Sequence, residues 1–299
     1  NWPVKPVRVL VTFAPGGSSD IVARLIAGPL AEKLGQPVVV ENKPGAGGTI
    51  GAAEAARSPA DGYTLLLSNS APISISPFML EKQSYDPVKS FTHVFYIGSV
   101  ANVFVVHPSV PARSLAELVG WIKAQSTPVP YGSGGVGSIG HIVGELMKND
   151  QGLKMEHVGY KGSSPMHNDL LAGTIKLAID TLPQNVPFMK DGRLRALAVT
   201  SPARAAMSAE VPTVVEAGQP KLLAENFLGI AGPAGLPPRI VERLHAAMSQ
   251  VAADATIVRR LEELGVSGRK MSSAEFTDFV QKQVTEWAPA VKASGAKLN

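Results

Sequence analysis

An apolar run from Val7 to Phe13 passes straight into Pro15-Gly16-Gly17-Ser18-Ser19-Asp20, after which apolar residues recur at 22, 25, 26, 30 and 34. A short apolar run bounded by glycine and proline predicts a buried strand, and the recurrence predicts an amphipathic helix. Strand, glycine turn and helix start aim several backbone N–H groups at one point in front of a helix N-terminus, a geometry suited to an anion such as a carboxylate. Asp20 or Ser19 is placed to cap that helix. An ordinary strand-to-helix turn looks the same, so the loop gains meaning only if others like it follow.

They do. Pro29 should kink the first helix or end its first section, Gly35 closes it, and Val38-Val39-Val40 forms a second strand. A second glycine-rich turn, Asn42 to Thr49, opens a helix from Ile50 to Ala56. The strand Thr64 to Leu67 ends in Ser68-Asn69-Ser70-Ala71, a short, polar and unobstructed segment. Gly98 and Asn102 are expected to break the apolar stretch Val94 to Val106 into two strand segments, with a crossing between domains near 101–103. A capping box at Ser114 and Glu117 opens the next helix. A strand ending near Tyr131 then leads into the densest glycine loop, Gly132-Ser133-Gly134-Gly135-Val136-Gly137-Ser138, and a helix with Ile142, Val143, Leu146 and Met147.

A strand at 155–158 is followed by Gly159 to Pro165, with Pro165 expected at the first position of a helix. The strand Thr174 to Ile179 ends in Asp180-Thr181-Leu182-Pro183, and Leu194 to Val199 gives another. From about residue 226 the chain returns to its first unit, where Pro237-Pro238 starts a helix and Ser272 with Glu275 starts the last one. Strands alternating with helices predict an α/β protein with parallel sheets covered on both faces. The expected domains are 1–101 plus 228–299 and 102–227.

Composition narrows the functions open to such a chain. Its 299 residues are 45% hydrophobic and 17% charged, which suits packed domains and argues against disorder. The net charge of +4 comes from scattered Lys and Arg rather than from a basic patch, so no nucleic-acid surface is expected. The absence of cysteine removes thiol catalysis, disulfides and thiolate metal sites. No apolar run is long enough to span a membrane. The chain begins Asn1-Trp2-Pro3, as one whose signal peptide had been removed would.

Five polar turns follow predicted strands, at 15–20, 68–71, 132–138, 159–164 and 180–183. In open α/β sheets ligands lie beyond the carboxyl ends of strands, so two such units would enclose a small molecule in a cleft between domains. The expected ligand contacts are Gly17, Ser18, Ser19, Ser68, Asn69, Ser70, Ser133, Gly134, Gly137, Ser138, Lys161, Gly162, Ser163 and Asp180. The loops carry Lys161 but no arginine, so backbone N–H groups and hydroxyls would hold an anion. Asp180 could take a ligand ammonium, brace a loop from behind or cap the following turn. Asp20 and His141 are expected to cap a helix or support the loops.

Enzyme signatures are missing. There is no GxxxxGK[ST], no GxGxxG opening the first helix, no GxSxG elbow and no HExxH. No catalytic residue, cofactor or metal is therefore expected. A hydrolase or transferase built from distant residues, and a ligand sensor signalling to a membrane partner, are the alternatives to a binding protein.

The residues together resemble a known family. Phe13 to Asp20 with Ala23-Arg24 is similar to the opening of the Bug (TctC-like) periplasmic solute receptors of tripartite tricarboxylate transporters. The resemblance continues through Val40 to Gly48, Asp61-Gly62-Tyr63-Thr64-Leu65, Tyr85-Asp86-Pro87, His107-Pro108-Ser109, Tyr160-Lys161-Gly162-Ser163, Leu194 to Thr200, Val211-Pro212-Thr213 and Ala231 to Gly235. It implies a two-domain, type II periplasmic-binding-protein fold that closes on an organic acid, such as aspartate, glutamate or a di- or tricarboxylate. It also implies delivery to integral membrane subunits from the periplasm; a monomer is expected, although no residue pattern decides oligomeric state. By that resemblance the 15–20 loop grips one carboxylate. Ser68-Asn69-Ser70-Ala71-Pro72, the 132–138 loop and Asn226-Phe227-Leu228-Gly229 depart from the usual family pattern, which leaves the identity of the ligand open.

Overall fold

The computed structural model describes residues 1–298 and divides into two compact units, Asn1–Ser99 with the chain from Phe227 onward, and Val100–Asn226. In the first unit, strands β1 (Val7–Val11), β2 (Val38–Asn42) and β3 (Thr64–Asn69) are joined by helices α1 (Ser18–Leu34) and α2 (Thr49–Arg57). Strand β4 (Phe91–Val106) leaves this unit and β9 (Glu225–Pro233) re-enters it, giving the order β2-β1-β3-β9-β4. Helices α7 (Pro238–Ala253), α8 (Ala255–Glu263) and α9 (Ser273–Ala293) complete it, with the two-residue strand β10 (Val266–Ser267) paired to β4.

The second unit contains α3 (Leu115–Lys123), β5 (Val129–Ser133), α4 (Ile139–Gln151), β6 (Met155–Gly159) and α5 (Ser163–Ala172). It continues through β7 (Leu177–Thr181), α6 (Leu182–Lys190) and β8 (Arg195–Val199). Here β4 lies between β8 and β7, and β5 and β6 follow β7.

Both sheets are mixed rather than parallel throughout. The βα units do give parallel pairs, β1 with β2 and β3, and β5 with β6 and β7. The long strands that carry the chain out and back run against their neighbours: β9 against β3, and β4 against β7 and β8.

Several local expectations are corrected for identifiable reasons. Helix α1 runs unbroken through Pro29, because Leu30 and Leu34 beyond it are buried and hold the last turns to the core. Strand β4 is continuous. Gly98 admits the close approach of β10, since a Cβ there would meet Val266 Cγ1 at 2.7 Å and Ser267 O at 2.8 Å. Asn102 stays in the ladder opposite Thr181, its N–H donating to Thr200 Oγ1 at 2.9 Å. The Ser114 hydroxyl caps α3, but Glu117 accepts from the Arg113 N–H instead of closing the box on Ser114. Helix α5 starts two residues before Pro165, which still occupies a first-turn position where its missing N–H is not needed.

Each unit has its own core. In the first, Phe276 of α9 meets Tyr96, Phe227 and His93 edge-on, with centroids 5.7–5.9 Å apart. In the second, Val103, Val105, Met166, Leu170 and Leu182 pack together. His93 is almost fully buried, and burial holds its imidazole down at about 4 from the usual 6.5. The folded state therefore binds fewer protons than the unfolded chain between these values, so this contribution to stability is complete above pH 6.5 and is lost as pH falls. The total is roughly 3 kcal/mol. His93→Phe should flatten the fall in urea-unfolding stability between pH 7 and pH 4.5; an unchanged slope would contradict this account.

Candidate functional site

In the first unit the loop between β1 and α1 is fastened from below. Gly17 is the residue that caps α1, with extended backbone (φ −74°, ψ 168°) and no side-chain cap bond. This corrects the expectation that Asp20 or Ser19 caps the helix. Asp20 sits inside the first turn and reaches back, accepting from the Gly16 N–H at 2.9 Å. It also accepts from Asn42 Nδ2 at 2.9 Å and Arg24 Nε at 3.1 Å. Burial works against its charge, but the Gly16, Asn42 and Arg24 contacts outweigh it and hold the carboxyl below its ordinary value. Gly17 and Ser18 are exposed, while Ser19 is buried and its Oγ accepts from Asn69 Nδ2 at 3.5 Å.

The end of β3 is not an open polar turn. Ser68 and Asn69 are paired in the ladder with Gly229 and Leu228, and Ser68, Asn69 and Ser70 are all buried. Ser70 Oγ accepts from the Phe227 N–H at 3.0 Å, and Asn69 Oδ1 accepts from the Ala71 N–H at 3.1 Å. Strand β9 covers this segment because it pairs antiparallel with β3, a long-range match that local sequence does not announce.

In the second unit three strand-end segments are stitched together. The Tyr160 N–H donates to Ser133 O at 3.3 Å and the Gly162 N–H to Gly134 O at 3.0 Å, joining the loops after β5 and β6. Ser163 Oγ donates to Asp180 Oδ1 at 2.9 Å, adding the end of β7. Gly134 lies against the same pair, with a Cβ position 3.6 Å from Asp180 Oδ1. Gly137 and Ser138 lead into α4, where Ser138 Oγ caps His141 N–H at 3.3 Å. Lys161 is exposed.

Asp180 is buried and already engaged. Asn185 Nδ2 donates to its Oδ2 at 3.1 Å, and His167 Nε2, 3.9 Å away, bonds to Asn185 Oδ1 at 2.9 Å. Burial pushes the Asp180 carboxyl above its usual range, against the lowering effects of Ser163, the Thr181 N–H and Asn185. The supporting residues Arg24, Asn42, His167 and Asn185, and His157, whose Nε2 lies 2.7 Å from Ser133 Oγ, were not among the sequence candidates. Asn42 and Arg24 stand within the family motifs, Arg24 four residues from Asp20 on one helix face, while the others have no local signal. Among the described residues no group of His, Asp and Glu is arranged to hold a metal ion, and no helix is long and apolar enough to cross a membrane.

A family model for the tripartite tricarboxylate transporter family receptor, TctC, matches residues 22–296. The chain belongs to this family. It is 34% identical over 299 residues to protein BugT of Bordetella pertussis, covering 100% of this chain and 92% of that protein. A solved structure described as a periplasmic transporter is 37% identical, with a TM-score of 0.83 and 100% of both chains covered. Rpa4515 of R. palustris, solved with adipate, is 33% identical with a TM-score of 0.83, again over 100% of both chains. The fold is thus the two-domain, type II periplasmic-binding-protein fold that the resemblance implied. This TctC-family protein is a periplasmic solute-binding receptor for a small organic acid that it delivers to a membrane transporter. The family is one of receptors, not of enzymes.

Proposed function

We propose that this receptor takes up a small dicarboxylate and passes it to the membrane subunits of a tripartite transporter. One carboxylate would be gripped by the Gly17, Ser18 and Ser19 backbone of the first unit, and the rest by residues 133–138 and 161–163 of the second. The observation that carries the choice of ligand is the engagement of Asp180. Each of its oxygens already accepts one bond, from Ser163 and from Asn185, which supports a role bracing the loops from behind over one holding an ammonium. A relative that holds adipate supports the same choice.

The first-turn N–H groups of a helix suit a carboxylate without a side-chain cation, since charge-assisted bonds to backbone donors suffice. Calorimetry against adipate, succinate, citrate, aspartate and glutamate tests the reading. Dicarboxylates are expected to bind about tenfold or more tighter than the amino acids, a difference of ~1.4 kcal/mol. No binding of any small acid would overturn it. A preference for aspartate that disappears in Asp180→Asn would instead give Asp180 to a ligand ammonium.

A further inference from the structure

Behind the 132–138 loop two histidines from different elements lie face to face. His141 of α4 and His157 of β6 stack with ring centroids 3.7 Å apart and planes 9° from parallel. Each is tied to the loop. His141 Nδ1 accepts the Gly137 N–H at 3.1 Å, and His157 Nε2 lies 2.7 Å from Ser133 Oγ. We propose that this pair is an acid-sensitive latch: neutral, it holds the loop in its binding shape, and one added proton releases the loop and weakens the grip on the ligand. The inference rests on the reading above that residues 133–138 contact the ligand; the latch itself concerns the loop alone.

The Gly137 hydrogen bond requires His141 to be neutral. An Nδ1 that accepts from Gly137 must keep its lone pair, so the His141 proton resides on Nε2. A second proton has only Nδ1 to go to, and there an N–H would face the Gly137 N–H. On the other ring, Ser133 Oγ already lies within reach of two donors, the Gly135 N–H at 3.2 Å and the Ser138 hydroxyl at 3.0 Å. A doubly protonated His157 could only donate to that oxygen, leaving Gly135 O, at 3.0 Å, as the acceptor for the Ser133 hydroxyl. Protonation of His141 therefore breaks a bond that shapes the loop.

The surroundings do not welcome the charge. His141 is the third residue of α4, where the positive end of the helix dipole disfavours a cation. Burial pushes both imidazoles down, His157 to about 4 with further repulsion from His141. Glu145, on the next turn of α4, attracts a proton to the pair, but Lys148 pairs with it at 2.6 Å. From β5 the Tyr131 hydroxyl lies 2.7 Å from Glu145 Oε1 and 3.1 Å from the His141 carbonyl. From β7 the Asp180 carboxylate accepts from Ser163 and Asn185, and from the 220–222 turn Lys221 pairs with Asp150.

The test uses the full chain with and without adipate. In the free protein at pH 7.5, nitrogen NMR should show His141 Nδ1 unprotonated, and the Gly137 amide should lose its exchange protection in step with His141 titration below pH 6.5. His141→Asn places an amide oxygen where Nδ1 stood, so it keeps the Gly137 bond and cannot be protonated. Between pH 7.5 and pH 5 adipate affinity should fall about tenfold further in the wild type than in His141→Asn. Protonation of adipate itself affects both proteins equally. A proton on Nδ1 at pH 7.5, a Gly137 amide indifferent to the titration, or parallel loss of affinity in both proteins would overturn the latch. Failure of both proteins to bind any dicarboxylate at pH 7.5 would sink the ligand reading alone, because the Gly137 titration still decides the latch.

Discussion

Gly140→Ala is expected to cost about 3 kcal/mol or more of stability and to abolish ligand binding. Gly140 is buried in the first turn of α4, and a Cβ there would sit 1.9 Å from the Ile179 carbonyl oxygen and 2.8 Å from its carbon. Both atoms are backbone in β7, so no rotamer change relieves the clash. Either α4 lifts from the sheet or β7 bends. The displaced turn carries Ser138 and His141, which shape the 132–138 loop, and Ile179 immediately precedes Asp180. Gly120→Ala is the matched control. It lies exposed in α3 with nothing within 4 Å of the added carbon. Relief of glycine's backbone entropy there should stabilise by about 0.5–1 kcal/mol. Urea unfolding of the two variants, with adipate calorimetry, checks the pair. A Gly140→Ala protein as stable as the wild type would refute the packing argument.

Asp20→Ala is expected to cost about 2 kcal/mol and to reduce adipate affinity about tenfold. The carboxylate holds three groups that would lose it together: the Gly16 N–H in the loop, Asn42 at the end of β2, and Arg24 one turn along α1. Asn42 also donates to Phe13 O at 3.0 Å, so the change would reach the end of β1. The Arg24 side chain is 52% exposed, which screens its share and keeps the estimate below that for a fully buried pair. Asp20→Asn can still accept from Gly16 and should fall between the two. The depressed carboxyl stabilises the fold above the ordinary value of 3.8, and this contribution disappears as pH falls through the folded value. The acid limb of the stability curve should therefore lose a component in Asp20→Ala. Unchanged unfolding together with unchanged affinity would show that the loop does not need this anchor.

Much of the local architecture was legible because its causes are local. The strand and helix around residues 7–34 follow from an apolar run and a helical recurrence. The Ser272 and Glu275 capping box has both of its bonds. Helix α8 could have been found from Asp254, whose carboxylate accepts from the Thr256 and Ile257 N–H groups. Helix α6 was hidden by Pro187, which argues against a helix interior even though Pro183 suits its first turn, while Leu182 and Asn185 are buried by tertiary contacts. The mixed sheets were missed because strand direction depends on which distant segment pairs alongside. Covering of the β3 end by β9 has the same origin.

The sequence by itself determined the order of the strand–turn–helix units, the anion-friendly turns and the family to which they belong. Each rests on neighbours a few residues apart, or on motifs that keep their order along the chain. Only the tertiary structure decided what the polar side chains at those turns do. Asp20 is bound by Asn42, Asp180 by Ser163 and Asn185, and Ser133 by His157. Asp20 therefore anchors a loop instead of capping a helix, and each Asp180 oxygen accepts a bond from a neighbouring helix. His141 lies stacked on a ring from another strand. Burial makes such partners decisive, since a desolvated charge or donor without one would cost several kilocalories. Register and packing choose which partner arrives, and those are properties of the assembled unit.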